Sequence, residues 1–118
     1  MVANRPVAQV KRGDIWTIAG GPDYAGKPRP AVIVQCDDFD ATPSITICPL
    51  SSTPVENVYA RFAVNQSESN GMQVRSYVMV DKISTIPRSK IGRFVGRLDA
   101  KDISLLNQRV TLFLGLGD

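Results

Sequence analysis

Apolar residues in this chain fall in short blocks separated by glycine, proline and acidic breaks, the spacing of many short strands. Gly13 to Ile18 reads as a first strand, with Ile15 and Trp16 partly buried and a β-branched Thr17. Gly20-Gly21-Pro22 breaks it. Strand two, Ala31–Cys36, is apolar on both faces and so belongs inside a sheet. After the acidic turn Asp37-Asp38-Phe39-Asp40 comes strand three, Ser44–Leu50, where Ile45, Ile47 and Pro49 alternate with Thr46, Cys48 and Leu50. Val58–Val64 reads as strand four, and Asn65–Gly71 as a polar loop in which Asn70-Gly71 is a turn signal. Tyr77–Val80 is a short strand and Ile91–Leu98 the last. Asp99 can N-cap a helix, with Asp102 placing an acid near the positive end of its dipole. Ile103, Leu106, Val110 and Phe113 then make one apolar stripe at helical spacing, widened by Leu105, Leu112 and Leu116, as for a helix packed on a sheet. Many short strands with a closing helix predict a mainly β fold, a small and partly open barrel.

A length of 118 residues suggests one domain with one modest core, and 43% hydrophobic with 21% charged residues suits a folded chain. Residues 1–10 read as a loosely held arm before it. No apolar run approaches membrane-spanning length and the N-terminus lacks a signal-peptide core, so a cytoplasmic protein is expected. Cys36 and Cys48 fall in expected core strands without Cys-x-x-Cys spacing and read as reduced, buried thiols. The absence of histidine removes histidine-based triads, paired-histidine ribonuclease chemistry and the common zinc sites. Net charge is only +3. Its distribution says more: Lys82, Arg88, Lys90, Arg93 and Arg97 follow one another with no acid between. Either a solvated surface or the footprint of an anionic partner, nucleic acid or an acidic protein segment, gives such a cluster.

The most constrained candidate is Arg29, set between Pro28 and Pro30 where a loop enters strand two. Each proline fixes its own φ and biases the preceding residue towards an extended backbone. A guanidinium held that way is a good anion clamp; a surface arginine closing a strand end is the plainer alternative. If strands two and three are antiparallel neighbours, the start of one lies beside the end of the other. Arg29 and Ser51 then share a rim, a cation beside a hydroxyl, which suits phosphate binding and phosphoryl transfer. Ser51 could equally be a turn cap. Asp81 follows the Tyr77 strand and could move a proton or simply pair with Lys82 or a nearby arginine.

Four stretches come in a fixed order: Lys11-Arg12-Gly13-Asp14-Ile15-Trp16, Lys27-Pro28-Arg29-Pro30-Ala31-Val32-Ile33-Val34-Gln35, Cys48-Pro49-Leu50-Ser51-Ser52 and Tyr77-Val78-Met79-Val80-Asp81-Lys82-Ile83. From about Lys11 onward the series resembles the MazF/PemK toxins of bacterial toxin–antitoxin pairs. The resemblance implies an SH3-like barrel with a C-terminal helix, in a symmetric homodimer. It implies a sequence-specific, ribosome-independent endoribonuclease acting on single-stranded RNA and neutralised by a cognate antitoxin, with no cofactor. It makes Arg29 the catalytic arginine and puts Ser51 on the position of a catalytic threonine, or Ser52 if the register slips by one. Asp81 falls where some members have an acid–base aspartate; the arginine often found two residues earlier is Met79 here. The family's acid in the loop before Arg-Pro has no clean counterpart, Asp23 being near it. Lys27, Arg75, Lys82 and Tyr24, which could stack on a splayed base, complete the expected substrate contacts. Two other readings are a gyrase-poisoning toxin similar to CcdB, which the ending Leu116-Gly117-Asp118 does not favour, and an inactive RNA- or antitoxin-binding module.

Overall fold

The computed structural model describes residues 6, 9–20, 27–54 and 58–117. Among these residues, seven strands and one α-helix follow in the order β1 (Asp14–Ile18), β2 (Arg29–Ile33), β3 (Ser44–Ser51), β4 (Arg61–Val64), β5 (Ser76–Met79), β6 (Ser84–Pro87), β7 (Ile91–Arg97) and α1 (Ala100–Phe113). All pairings are antiparallel, in the order β4-β5-β3-β2-β1-β7, with β6 also on β3. The mainly β fold with a closing helix is the one the pattern predicts.

β3 is long enough to serve two sheet regions. Its first half, Ser44–Ile47, pairs with β6, and its last residues, Leu50 and Ser51, pair with Val78 and Tyr77 of β5. Its side chains alternate between two cores. Ile45 and Ile47 join Val10, Trp16, Ala31, Ile33 and Ile91. Cys48 and Leu50 join Ile15, Val32, Phe62, Val64, Val78, Val80, Leu98 and Leu106. β1 and β2 are accordingly buried on both sides, and Ile15 and Trp16 are fully rather than partly buried. The Trp16 ring meets Phe94 edge-on at 5.5 Å. Val10 is buried too, so the expected loose arm is anchored at its inner end.

The loop between β4 and β5 closes the barrel towards β7. Asn70 is buried; its Oδ1 accepts from Ser67 N and Met72 N, and Gly71 takes φ +67°, as the Asn-Gly signal predicts. Arg97 N donates to Ser69 O at 2.8 Å. Gly96 permits this approach, since a Cβ there would lie 2.3 Å from the Asn70 backbone.

Further expectations change. β4 begins at Arg61, not at Val58, because residues 59–60 form a turn closed by Arg61 N donating to Val58 O. β2 starts at Arg29 and ends at Ile33, because the extended φ of Pro30 lets the strand begin before the apolar run does. Cys36 lies beyond the strand, at the entry to a 3-10 turn over Asp37–Phe39, and is exposed. β6, Ser-Thr-Ile-Pro, carries one apolar side chain between hydroxyls and a proline and gives no alternation to read. The helix is N-capped by Asp99, which accepts from Asp102 N at 2.9 Å, but its stripe packs only as far as Val110. Leu112, Phe113 and Leu116 are exposed, with Leu114 beside them.

Asp14 is the charged side chain of the core. Fully buried, it accepts from Lys11 N at 2.9 Å and Trp16 Nε1 at 3.3 Å, and pairs with Arg97 Nη1 at 3.1 Å. Removing its carboxylate strands a buried indole N–H and a backbone N–H. Asp14→Ala is expected to cost about 3 kcal/mol in urea-induced unfolding; a loss under about 1 kcal/mol would contradict this account of the core.

Candidate active site

The β2–β3 register places Ala31 opposite Pro49 and Ile33 opposite Ile47. Continued two residues, it sets Arg29 opposite Ser51, and both face the same side as Ala31 and Pro49 because side chains alternate along a strand. The antiparallel neighbours supposed from sequence are therefore present. Their common side opens into a cavity of about 880 Å³. Ala31, Ile47, Pro49 and Phe94 contribute apolar wall, and Thr17, Ser51, Ser52, Thr53, Ser76 and Ser84 contribute hydroxyls. Four cations, Arg29, Arg61, Lys82 and Arg93, line it, and among the described residues no Asp or Glu does. A low-dielectric wall carrying one sign of charge concentrates anions.

Ser51 is half-buried at the end of β3, and its Oγ accepts from Thr53 N at 3.1 Å. The turn-cap role is thus real, and it leaves the hydroxyl proton free to be donated elsewhere, since a hydroxyl accepts and donates at once. Ser52 and Lys82 are exposed on the same cavity wall. Lys27 and Arg75 are exposed outside that wall; Arg75 rests over the Tyr77 ring at 5.6 Å. Asp23 and Tyr24 lie outside the described residues.

Asp81 is not part of the cavity lining. It sits in a 3-10 turn, Val80–Lys82, and its two carboxylate oxygens accept from Nε and Nη2 of Arg61, each at 2.9 Å. Those two hydrogen bonds hold Asp81 below the usual carboxylate range, against a smaller upward push from burial, and raise Arg61 in turn. The pairing alternative read from sequence is the one seen. Arg61 itself was missed. It opens β4 opposite Met79, and only the cross-strand register could have brought it to the cavity.

The basic series from Lys82 to Arg97 does not form one face. Lys82 and Arg93 line the cavity, Arg97 pairs with Asp14, and Arg88 donates to Thr42 O and Phe39 O. Neither cysteine contributes: Cys36 is not among the residues that line the cavity, and burial pushes the Cys48 thiol up to about 12.

Comparison with known proteins places the chain in a family. The sequence matches the PemK-like, MazF-like toxins of type II toxin–antitoxin systems over residues 11–114, and the chain belongs to that family. It is 37% identical over 107 residues to a probable endoribonuclease MazF of Mycolicibacterium smegmatis, covering 91% of this chain and 98% of the relative. It is 28% identical to endoribonuclease MazF9 of Mycobacterium tuberculosis, with the same coverage. Among solved structures, a mycobacterial endoribonuclease in complex with its cognate antitoxin superposes with a TM-score of 0.76 at 20% identity, over 91% of this chain and 96% of that one. The M. tuberculosis toxin MazF-mt6 gives 0.69 at 26%, over 84% and 93%.

Because Asp81 is held below its ordinary value, it stabilises the fold above the unfolded pKa of about 3.9, and that contribution is lost as pH falls through the folded value. The stability gap between wild type and Asp81→Asn should be constant from about pH 5 upward and narrow below about pH 4. Acid titration followed by circular dichroism checks this; a gap that widens in acid would contradict the pairing.

Proposed function

We propose that the chain is a toxin endoribonuclease that cuts single-stranded RNA at the Arg29–Ser51 rim without a metal ion. The observation that carries this reading is the cavity itself: four cations and several hydroxyls with no carboxylate on its described wall. A polyanion enters such a space readily, while a divalent ion finds, among the described lining residues, no oxygen ligands of the charged kind it needs. The chain also has no histidine. The nucleophile is then the substrate's own 2′-hydroxyl, already beside the phosphorus. The bond from O2′ to phosphorus forms as the bond from phosphorus to O5′ breaks. The proton released from O2′ passes to water in the open cavity, and the leaving O5′ takes one from water. Arg29 offsets the charge on the non-bridging oxygens, and Ser51 donates to one of them. Products are a 2′,3′-cyclic phosphate and a 5′-hydroxyl, and DNA is not cut.

Cleavage is expected to persist in a chelator. Arg29→Ala should lower the rate about a hundredfold or more, with folding intact. Arg29→Lys should rescue little, because a point charge does not replace the planar fork. End-labelling of the products decides the matter: 5′-phosphate ends, or cleavage when the scissile 2′-hydroxyl is replaced by hydrogen, would overturn the reading.

The toxin acts as a homodimer and is silenced by an antitoxin segment that is acidic or amphipathic and covers the Arg29 rim. The exposed Leu112, Phe113, Leu114 and Leu116 support the dimer, since a small barrel leaves such a surface to be covered and two-fold pairing is the commonest way to cover it. Light scattering at micromolar concentration should report twice the chain mass, and a monomer would contradict it.

A further inference from the structure

We propose that Arg61 is a second phosphate-binding guanidinium of the cavity and that Asp81 is its positioning residue, not a carrier of protons. The proposal rests on the RNA-cleaving reading above and deepens it.

A guanidinium has five N–H donors: one on Nε and two on each Nη. Arg61 gives Nε–H and one Nη2–H to Asp81, in the parallel fork that carboxylate and guanidinium make best. Nη1, with both its donors, lies outside that fork. The two partners differ in where they face: Arg61 lines the cavity and Asp81 does not. The carboxylate therefore grips one edge of the guanidinium, and the rest of the group is the part the cavity meets. The grip removes most of the rotamer freedom that a long side chain would otherwise lose on binding. Backbone contacts fix both ends of the pair. Arg61 N donates to Val58 O, Val80 N donates to Ala60 O, and Ile83 N donates to Val80 O.

Charge bookkeeping makes the role a specific one. At a distance the pair is neutral, so it adds little to long-range attraction of RNA. Close to the guanidinium, a phosphate oxygen meets charged donors directly while the carboxylate stays on the far edge. Arg61 thus contributes a directional contact, and Arg29, Lys82 and Arg93 contribute the field. A proton carrier needs the opposite environment. It must face the reacting atoms and titrate near the working pH, whereas Asp81 has both oxygens engaged and is held below the ordinary carboxylate range.

The test uses the whole chain and an RNA oligonucleotide containing one site mapped with wild-type protein. Cleavage gives kcat and KM, and the same RNA with a 2′-deoxy scissile nucleotide gives Kd. Arg61→Ala should weaken binding roughly tenfold to a hundredfold, the range of a lost charge-assisted contact. Asp81→Asn should weaken it by a smaller factor and leave the acid limb of the kcat profile in place. The double variant should match Arg61→Ala within about twofold, since the two residues act as one unit. Should Arg61→Ala fail to fold, Arg61→Lys and Asp81→Asn carry the same test: both weaken binding with the acid limb unchanged. Wild-type affinity in Arg61→Ala, or in a folded Arg61→Lys, would overturn the proposal. So would an Asp81→Asn enzyme with normal Kd, a kcat lowered more than about a hundredfold and no acid limb. If wild-type protein cuts no RNA, the cleavage reading fails, and the Kd series measured on an unmodified single-stranded RNA oligonucleotide still decides whether Arg61 is a contact.

Discussion

The antiparallel pairing of β2 with β3 is the constraint on which the rest depends. β3 is paired along both edges, to β2 on one side and to β6 and then β5 on the other. A one-residue slip would turn every side chain of β3 to the opposite face. Ile45 and Ile47 would leave one core, Cys48 and Leu50 the other, and Ser51 would leave the cavity. Two buried cores therefore fix the register, and the register fixes the site. Prolines on either side of Arg29 complete the arrangement at the facing strand end.

The cavity's charge follows from how the carboxylates are spent. Asp14 is consumed by Arg97, Lys11 N and Trp16 Nε1 inside the core. Asp37 accepts from Arg12 N. Asp99 caps the helix, and Asp81 holds Arg61 from outside the cavity. A chain of modest net charge thereby presents a strongly cationic concave wall. The distribution, more than the total, suits a polyanionic substrate.

Much of this was legible in sequence, for identifiable reasons. Long apolar blocks gave β1, β2, β3 and the helix, because burial on one or both faces leaves a period. Asp99 and Asn70-Gly71 were readable because capping and turn chemistry are local. Arg29 and Ser51 were readable because their proximity needs only an antiparallel pair and strand ends. Arg61 was not, since it reaches the cavity through a register with Met79 that no local pattern encodes. The same holds for Arg88 and Arg97: adjacent basic residues look like one face until tertiary partners divide them. β6 was hidden because Ser-Thr-Ile-Pro carries one apolar side chain and no alternation, and the exposed end of the helix by an apolar stripe that continues past the sheet that covers it.

The central claim, that the Arg29–Ser51 rim and its cationic wall receive RNA, is tested most directly by amide chemical-shift mapping. Uniformly ¹⁵N-labelled protein would be titrated with a short single-stranded RNA carrying a 2′-deoxy scissile nucleotide. The account predicts perturbations concentrated at Arg29, Ser51–Thr53, Gly71–Val74 and Arg93–Val95. Shifts confined to the helix and to the 37–42 turn, with the β2–β3 rim silent, would contradict it.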